Sequence, residues 1–214
     1  MNEPAPRRLN LPPRAAPLAG RFVRLDPAQL TDAQALLEIG DDVVFRHMLR
    51  GGFRDLSDAR DYLADAINRH ERGEHFPYVI RRRTDGAAAG MTRLFDFSPL
   101  DRRMEIGHTW LGRAFQRTVV NTECKLLLLE YAFETLGAAR VQLKTDATNG
   151  PSRRAIERIG AEFEGVLRKF QLTQGGRIRD TAMYSVTEDD WPRVRLRLQG
   201  LLTPDTAGPA ATIA

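Results

Sequence analysis

The sequence has little cysteine, few aromatic residues and no long apolar run. Cys124 is the single cysteine of the 214 residues, so no internal disulfide can form. A membrane-spanning helix needs about 18 consecutive apolar residues, and because no such run occurs we expect no membrane contact. Residues 1–20 contain arginines but lack the apolar core that a secretory signal requires. The cytoplasm is therefore the expected compartment.

Motifs for metal binding and for hydrolysis are also missing. Cysteine and histidine do not occur at zinc-ligand spacing, and no histidine has a second ligand four residues away on a helix. The G-x-S-x-G elbow of hydrolases and the G-x-x-x-x-G-K-S/T phosphate loop are absent. Cys124 lies in an apolar segment, where a buried small residue is expected. The sequence thus predicts no metal site.

The charge balance is mildly basic, with 32 Lys and Arg against 28 Asp and Glu. The basic residues are scattered instead of forming a tract, which is typical of a solvated surface. A nucleic-acid-binding domain is an alternative that only this balance favours, since aromatic stacking motifs and a basic stripe are missing. We therefore expect no nucleic-acid partner.

The pattern along the chain predicts one mixed α/β domain at residues 18–200. Residues 1–17, rich in Pro, Arg and Ala, are expected to form an extended or disordered tail, and residues 201–214 a flexible one. Short connections favour antiparallel pairing, and the element order excludes a doubly wound parallel sheet. Strands are predicted at 22–25, 78–80, 90–97, 104–111, 140–145, 165–173 and 177–186. Helices are predicted to start at Thr31 and near Ser57, and to cover 122–136 and 151–159.

The segment 104–136 is the strongest candidate for a binding site. A strand leads into the loop 112–121, which opens a helix that is apolar on most of its circumference. Backbone N–H groups in the first turn of a helix lack partners and lie at the positive end of the helix dipole, where a pyrophosphate can bind. Arg117 and Thr118 can add a charge and a hydroxyl group.

Landmarks in matching order over about 180 residues resemble the GNAT superfamily of N-acetyltransferases, in its RimJ/RimL-like branch. They are EIGHTWL at 105–111, FQRTVVNTECKLLLLEYAFETLG at 115–137, RVQLKTDATNGPSRRAIERIGAEFEG at 140–165, and RDTAMYSV at 179–186 followed by Asp190-Trp191-Pro192. LAGRFVRLDP at 18–27 is similar to the first strand of that branch.

The resemblance implies a mixed α/β, GNAT-like acyl-CoA acyltransferase fold. Its central sheet is mixed, mostly antiparallel and twisted, is flanked by helices, and splays into a V between its fourth and fifth strands, with acetyl-CoA in the cleft. The family's pyrophosphate loop reads Gln/Arg-x-x-Gly-x-Gly/Ala, whereas Val119 and Asn121 stand at the two glycine positions here. Because a helix N-terminus uses ordinary helical dihedrals, the amides are still expected to bind. The expected cofactor-binding residues of this loop are Gln116, Arg117, Thr118, Val119, Val120 and Asn121.

The resemblance also implies contacts outside the loop. Asn149 is expected to contact the pantetheine arm, and Ser152 to protonate the leaving thiolate; the alternative is that both cap a helix. The backbone of Trp110 and Leu111 is expected to flank the acetyl group. Arg153 is expected to contact the CoA phosphates, with Arg154 and Arg158 as alternatives that can also simply face solvent.

Glu105 is the expected general base, acting through water on the attacking amine. The alternative is a salt bridge between Glu105 and Arg102 or Arg103. Tyr184 is a second catalytic candidate that can approach the sulfur atom, although a tyrosine on an alternating strand is often a core residue.

The resemblance therefore implies an acetyl-CoA-dependent N-acetyltransferase that acts by direct attack in a ternary complex. The expected acceptor is a primary amine, with the N-terminal α-amine of a protein or peptide favoured. A non-catalytic CoA-binding or regulatory protein and a small-molecule amine acetyltransferase are the alternatives. The acceptor is expected between the first two helices and the final hairpin, near Asp41, Asp42 and Arg46. The protein is expected to be a monomer or a homodimer.

Overall fold

A computed structural model describes residues 7–203 of the chain and contains one eight-stranded sheet with the order β1-β2-β3-β4-β5-β6-β8-β7. The strands are β1 Leu18–Ala19, β2 Val23–Pro27, β3 His75–Arg82, β4 Ala88–Ser98, β5 Arg103–Leu111, β6 Arg140–Asp146, β7 Glu162–Leu172 and β8 Ile178–Thr187. The helices are α1 Ala33–Leu37, α2 Asp42–Phe45, α3 Leu56–Glu71, α4 Val119–Glu130, α5 Gly150–Arg158 and α6 Trp191–Leu202.

The expected mixed, mostly antiparallel sheet is confirmed. All neighbouring strands in the sheet are antiparallel except β5 and β6, which run parallel because the connection between them contains α4. The splay was expected between the fourth and fifth strands, at residues 104–111 and 140–145. These are β5 and β6 here, because the two-residue strand β1, which was not predicted, adds one to the count.

Two apolar clusters cover the two faces of the sheet. On one face α4 contacts β1 and β2, and its Cys124 and Leu128 lie in a cluster with Val194 of α6. On the other face Leu63 of α3 packs with Met91 and Trp110. The apolar circumference of α4 is explained by its position between the sheet and α6, because both sides of the helix are buried.

Helix boundaries differ from the predictions in several places. α4 begins three residues before the predicted start, at Val119, and Thr118 caps it by accepting a hydrogen bond from Val120 N at 3.3 Å. The residue at the N-cap of α1 is Asp32, not Thr31. α2 and α6 were not predicted. α6 has only a narrow apolar stripe, at Trp191, Val194 and Leu198, and the arginines between these residues obscure it in the sequence.

The described ends of the chain pack against the domain. Residues 7–17 have no regular secondary structure, yet Leu9 and Ala15 are buried and Leu9 N donates to Pro99 O at 3.1 Å. α6 extends to Leu202, past the predicted boundary at residue 200. The remainder of both predicted tails, residues 1–6 and 204–214, lies outside the described residues, so the division into domain and tails stays a prediction. Within residues 7–203, every helix is too short or too polar to cross a membrane.

Candidate active site

The parallel strands β5 and β6 pair only at their first residues and then separate. The last paired residues are Glu105 and Gln142, although β5 continues to Leu111 and β6 to Asp146. On its other side β5 carries a bulge, because Thr92 of β4 faces both residues between Gly107 and Trp110. The two strands are therefore unpaired beyond Glu105, and the splay opens beside this residue.

The loop after β5 leads to the N-terminus of α4, next to the splay. Among the residues that the structure describes, the amides of Arg117 and Thr118 have no hydrogen-bond acceptor. The side chains of both residues are exposed. Gln116 connects the loop to the strand, since its Nε2 donates to Leu111 O at 2.9 Å. Free amides, an adjacent arginine and the positive end of a 12-residue helix fit the pyrophosphate group that the resemblance implies.

Val119 and Asn121, which stand where the family motif has glycine, lie at positions that tolerate a side chain in this structure. Val119 is the first residue of α4 and is 39% exposed, and Asn121 is half-buried. The unusual backbone of the loop is instead at Arg117, whose φ of 59° lies in the left-handed region that favours glycine. The left-handed backbone at Arg117 therefore sets the direction of the amides in this loop.

Glu105 is buried at the vertex of the splay, with 1% of its side chain exposed. Its Oε2 accepts hydrogen bonds from Lys144 Nζ at 2.8 Å and from Gln142 Nε2 at 3.2 Å. Burial raises the pKa of Glu105, although the charge of Lys144 opposes the shift. Close packing supports this position, because a Cβ atom on Gly107 would lie 2.8 Å from Glu105 Oε1.

The salt-bridge alternative for Glu105 named the wrong partners. Arg102 binds Glu188 and Gly137 O, and Arg103 binds Asp96 at 3.0 Å. Lys144, which does bind Glu105, was not singled out in the sequence. Its position on β6, two residues after Gln142, could have indicated it, since alternate residues of a strand share a face.

A buried arginine is surrounded by histidine and tyrosine rings on the face of the sheet that carries Glu105. Arg93 is 2% exposed; its Nη1 lies 3.2 Å from His75 Nδ1, and its guanidinium lies 5.0 Å from the Tyr62 ring centroid. His108 faces His75, with 6.0 Å between ring centroids. Burial lowers the pKa of His75 to about 4 and that of His108 to about 3, and Arg93 adds to both shifts. Both histidines are therefore neutral near pH 7.

Asn149 and Ser152 lie at the N-terminus of α5, after the end of β6. Asn149 Oδ1 accepts a hydrogen bond from Ser152 N at 3.1 Å, so the capping role is present. The preceding turn depends on Asp146, a residue that was not predicted to take part in the site. It is 1% exposed, accepts from Thr148 N at 2.9 Å and pairs with Arg177. The cap leaves the half-buried Ser152 hydroxyl available for a second role.

Tyr184 and Arg153 contact each other in a chain of hydrogen bonds that ends at Glu157. Arg153 Nε donates to Tyr184 Oη at 2.9 Å, and Tyr184 Oη donates to Glu157 at 2.9 Å. Tyr184 is fully buried, which favours the core alternative for this residue. Of the three arginines on α5, Arg158 reaches α4, where its Nη2 donates to Thr122 Oγ1 at 2.8 Å.

The expected acceptor region is assembled from segments distant in sequence. The β7–β8 hairpin contacts the segment between α2 and α3: Gln174 N donates to Leu49 O at 2.7 Å, and Arg179 Nη1 to His47 O at 3.0 Å. Of the three residues expected near the acceptor, Asp41 caps α2 and Asp42 accepts from Gly52 N. Arg46 is exposed. Across residues 7–203 we find no group of three or more His, Cys, Asp or Glu side chains placed to bind a metal ion.

Residues 23–162 match the family described as the acetyltransferase (GNAT) domain. Over 107 residues the chain is 34% identical to the "Putative ribosomal N-acetyltransferase YdaF" of Bacillus subtilis (strain 168). This alignment covers 50% of the chain and 57% of YdaF, so the chain spans little more than half the length of that relative.

Solved structures show the same architecture. A GCN5-related N-acetyltransferase from Brucella melitensis superposes with a TM-score of 0.86 at 27% identity, over 96% of this chain and 93% of that one. RimJ of Mycobacterium smegmatis, solved in complex with CoA-disulfide, superposes with a TM-score of 0.71 at 20% identity, over 92% and 95% of the two chains. At 20% identity this second likeness concerns the fold alone.

Proposed function

Because the chain belongs to the GNAT acetyltransferase family, we propose that it transfers the acetyl group of acetyl-CoA to a primary amine by direct attack in a ternary complex. The members of this family are acyltransferases. The match of residues 23–162 confirms the resemblance to the GNAT superfamily that the sequence indicates. The similarity to YdaF, a putative ribosomal N-acetyltransferase, agrees with the RimJ/RimL-like branch.

The observation that carries the proposal is the buried carboxylate of Glu105 at the vertex of the splay. When bound, acetyl-CoA supplies an electrophilic thioester. The amides of Arg117 and Thr118 at the N-terminus of α4 would hold its pyrophosphate, and Arg158, which lies beside the second turn of α4, would contact a phosphate in place of Arg153. The backbone of Trp110 and Leu111 on β5 would flank the acetyl group, and Asn149 would contact the pantetheine arm.

Glu105 would accept the proton of the attacking amine, directly or through water. The carboxylate form is the base, and burial raises the pKa of this group, which makes it a stronger base than an exposed glutamate. Ser152 would donate a proton to the thiolate, since its hydroxyl is free of the cap that its own amide makes with Asn149. The buried hydrogen bonds of Tyr184 make it a weaker candidate for that proton.

We favour the α-amine of a protein or peptide as acceptor. An α-amine with pKa near 7.8 is neutral in roughly one molecule in seven at pH 7, whereas a lysine amine is neutral in roughly one in 2,500. The free energy needed to deprotonate the amine, which a single carboxylate base has to offset, is therefore smaller for an α-amine than for a lysine amine. YdaF carries the name of a putative ribosomal N-acetyltransferase, which supports a protein acceptor over a small amine.

Thermal unfolding with and without acetyl-CoA tests the binding half of the proposal. At a concentration a hundred times its dissociation constant, a ligand adds about 2.7 kcal/mol, which raises the melting temperature of a domain of this size by about 5–10 °C. No shift at millimolar acetyl-CoA would overturn the proposal. A panel of peptides with open or blocked N-termini then tests the acceptor, because acetylation only of blocked, lysine-bearing peptides or of small amines would contradict the α-amine assignment.

A CoA-binding protein without turnover is the second candidate. Val119 and Asn121 at the positions of the motif glycines favour it, because a side chain there narrows the approach to the phosphates. A melting shift with acetyl-CoA and no thiol release with any amine would support this candidate.

A further inference from the structure

The chain has three lysines, Lys125, Lys144 and Lys169, and one of them occupies the vertex of the cleft. Lys144 lies on β6 beyond Gln142, in the part of the strand that has left β5. Its Nζ is 2.8 Å from Glu105 Oε2. It also lies 5.7 Å from the ring centroid of Phe95 and 5.6 Å from that of Phe170.

A carboxylate and two aromatic faces around one ammonium group form a binding site for a cationic amine. Phe170 reaches this position from β7, where the strand slips in register between Leu167 and Gln171 and Lys169 has a φ of 49°. The Lys144 side chain is 17% exposed, so it is accessible to solvent. The amine of Lys144 therefore holds the place beside Glu105 that the proposed function assigns to the attacking amine.

We propose that Lys144 is itself an acetyl acceptor, so that the protein acetylates this side chain in cis. The inference rests on the proposed function and adds a second acceptor, a lysine ε-amine that the fold holds against the base. Glu105 accepts a proton from Nζ, and the nitrogen lone pair attacks the carbonyl carbon of the acetyl thioester. A C–N bond forms, the C–S bond breaks, and the sulfur leaves with the electron pair. The second proton of the nitrogen passes to the thiolate through Ser152 or water.

The other two lysines serve as internal references. Lys125 is 5% exposed on α4, and its Nζ donates to Thr109 Oγ1 at 2.7 Å. Lys169 is exposed on β7, and within the described residues its side chain has no carboxylate partner. Unassisted chemical acetylation would favour the exposed Lys169, whereas assisted transfer favours Lys144.

The test is incubation of the folded protein with acetyl-CoA, followed by intact mass and peptide mapping. We expect one added acetyl group at Lys144, formed at least tenfold faster than at Lys169. Glu105→Gln is expected to slow labelling of Lys144 at least tenfold and to leave that of Lys169 unchanged, while Lys169→Arg leaves Lys144 labelling intact.

Labelling of Lys144 no faster than Lys169, in protein that acetylates a peptide, would overturn this inference alone. Absence of peptide acetylation and of any melting shift with acetyl-CoA would overturn both this inference and the proposed function.

A measurement without acetyl-CoA tests the site around the Lys144 amine itself, using protein with carbon-13-labelled lysine. The ε-methylene resonance of Lys144 is expected upfield of that of Lys169 because of the two rings, and Phe170→Leu is expected to reduce this difference, since the Phe95 ring remains. Equal positions for the two lysines would contradict the aromatic site.

Discussion

Glu123 connects the helix of the candidate pyrophosphate site to the first strands, and its replacement by glutamine should destabilise the whole domain. Glu123 lies in the second turn of α4 and is 4% exposed. Its carboxylate accepts three backbone hydrogen bonds, from Arg21 N at 2.7 Å and from Phe22 N and Val23 N at 2.6 Å each. The packing is close, because a Cβ atom on Gly20 would lie 2.4 Å from Glu123 Cδ.

The magnitude follows from these bonds. In Glu123→Gln two bonds lose their charge assistance, at about 1 kcal/mol each, and one backbone N–H faces an NH₂ group and stays unpaired, at about 1–3 kcal/mol. The lower desolvation cost of an amide offsets part of this loss. We therefore expect the free energy of unfolding to fall by about 3 kcal/mol, which lowers the melting temperature by about 6–12 °C for a domain of this size.

Glu130→Gln is the matched control on the same helix. Glu130 is 37% exposed and pairs with Arg195 at 3.0 Å, and such surface pairs contribute about 0–1 kcal/mol. Calorimetric or circular-dichroism melts of both variants, with denaturant titration for the free energy, give the comparison. If Glu123→Gln melts as the control does, the three hydrogen bonds do not stabilise the domain and the argument is refuted.

Three further predictions concern the loop and Tyr184. Val119→Gly or Asn121→Gly is expected to keep or strengthen acetyl-CoA binding measured by calorimetry, and loss of binding would contradict a site at the N-terminus of α4. Arg117→Ala is expected to weaken CoA more than pantetheine fragments without phosphate, so equal weakening would show that Arg117 does not contact the phosphates. Tyr184→Phe is expected to cost about 1–2 kcal/mol of stability through its two lost hydrogen bonds, with kcat nearly unchanged. A 100-fold fall in kcat at unchanged stability would instead make Tyr184 the proton donor.

The sheet and the buried helix could be predicted from the sequence because local patterns specify them. Alternating strands with short turns indicate antiparallel pairing, and an apolar run ending at Gly137 indicates a buried helix. The start of α4 was placed too late, because the β-branched pair Val119 and Val120 does not mark a helix start. α6 was missed because most of its residues face solvent.

The contacts of the candidate site depend on tertiary structure and could not be derived from local patterns. The alternative to a catalytic Glu105 was a salt bridge to a neighbour in sequence, but its partner Lys144 is brought to it by the parallel pairing of β5 with β6. Glu123 lies within an apolar run of the sequence. Nothing in that run indicates that its carboxylate binds backbone amides a hundred residues earlier, at the start of β2. The contact of Phe170 with Lys144 depends on a shift in the pairing register of β7, and no pattern in the sequence marks that shift.

Acetylation of an open N-terminal peptide by wild-type protein and by Glu105→Gln tests the central claim most directly. Because burial raises the pKa of Glu105, the carboxylate form is lost on acidification at a higher pH than for an ordinary glutamate, and wild-type turnover should fall there. We predict a kcat about 100-fold lower in Glu105→Gln, an acetyl-CoA melting shift equal to that of the wild type, and a defect that shrinks as the amine deprotonates above pH 8. Equal turnover of the two proteins, or a defect independent of pH, would contradict the assignment of Glu105 as the base.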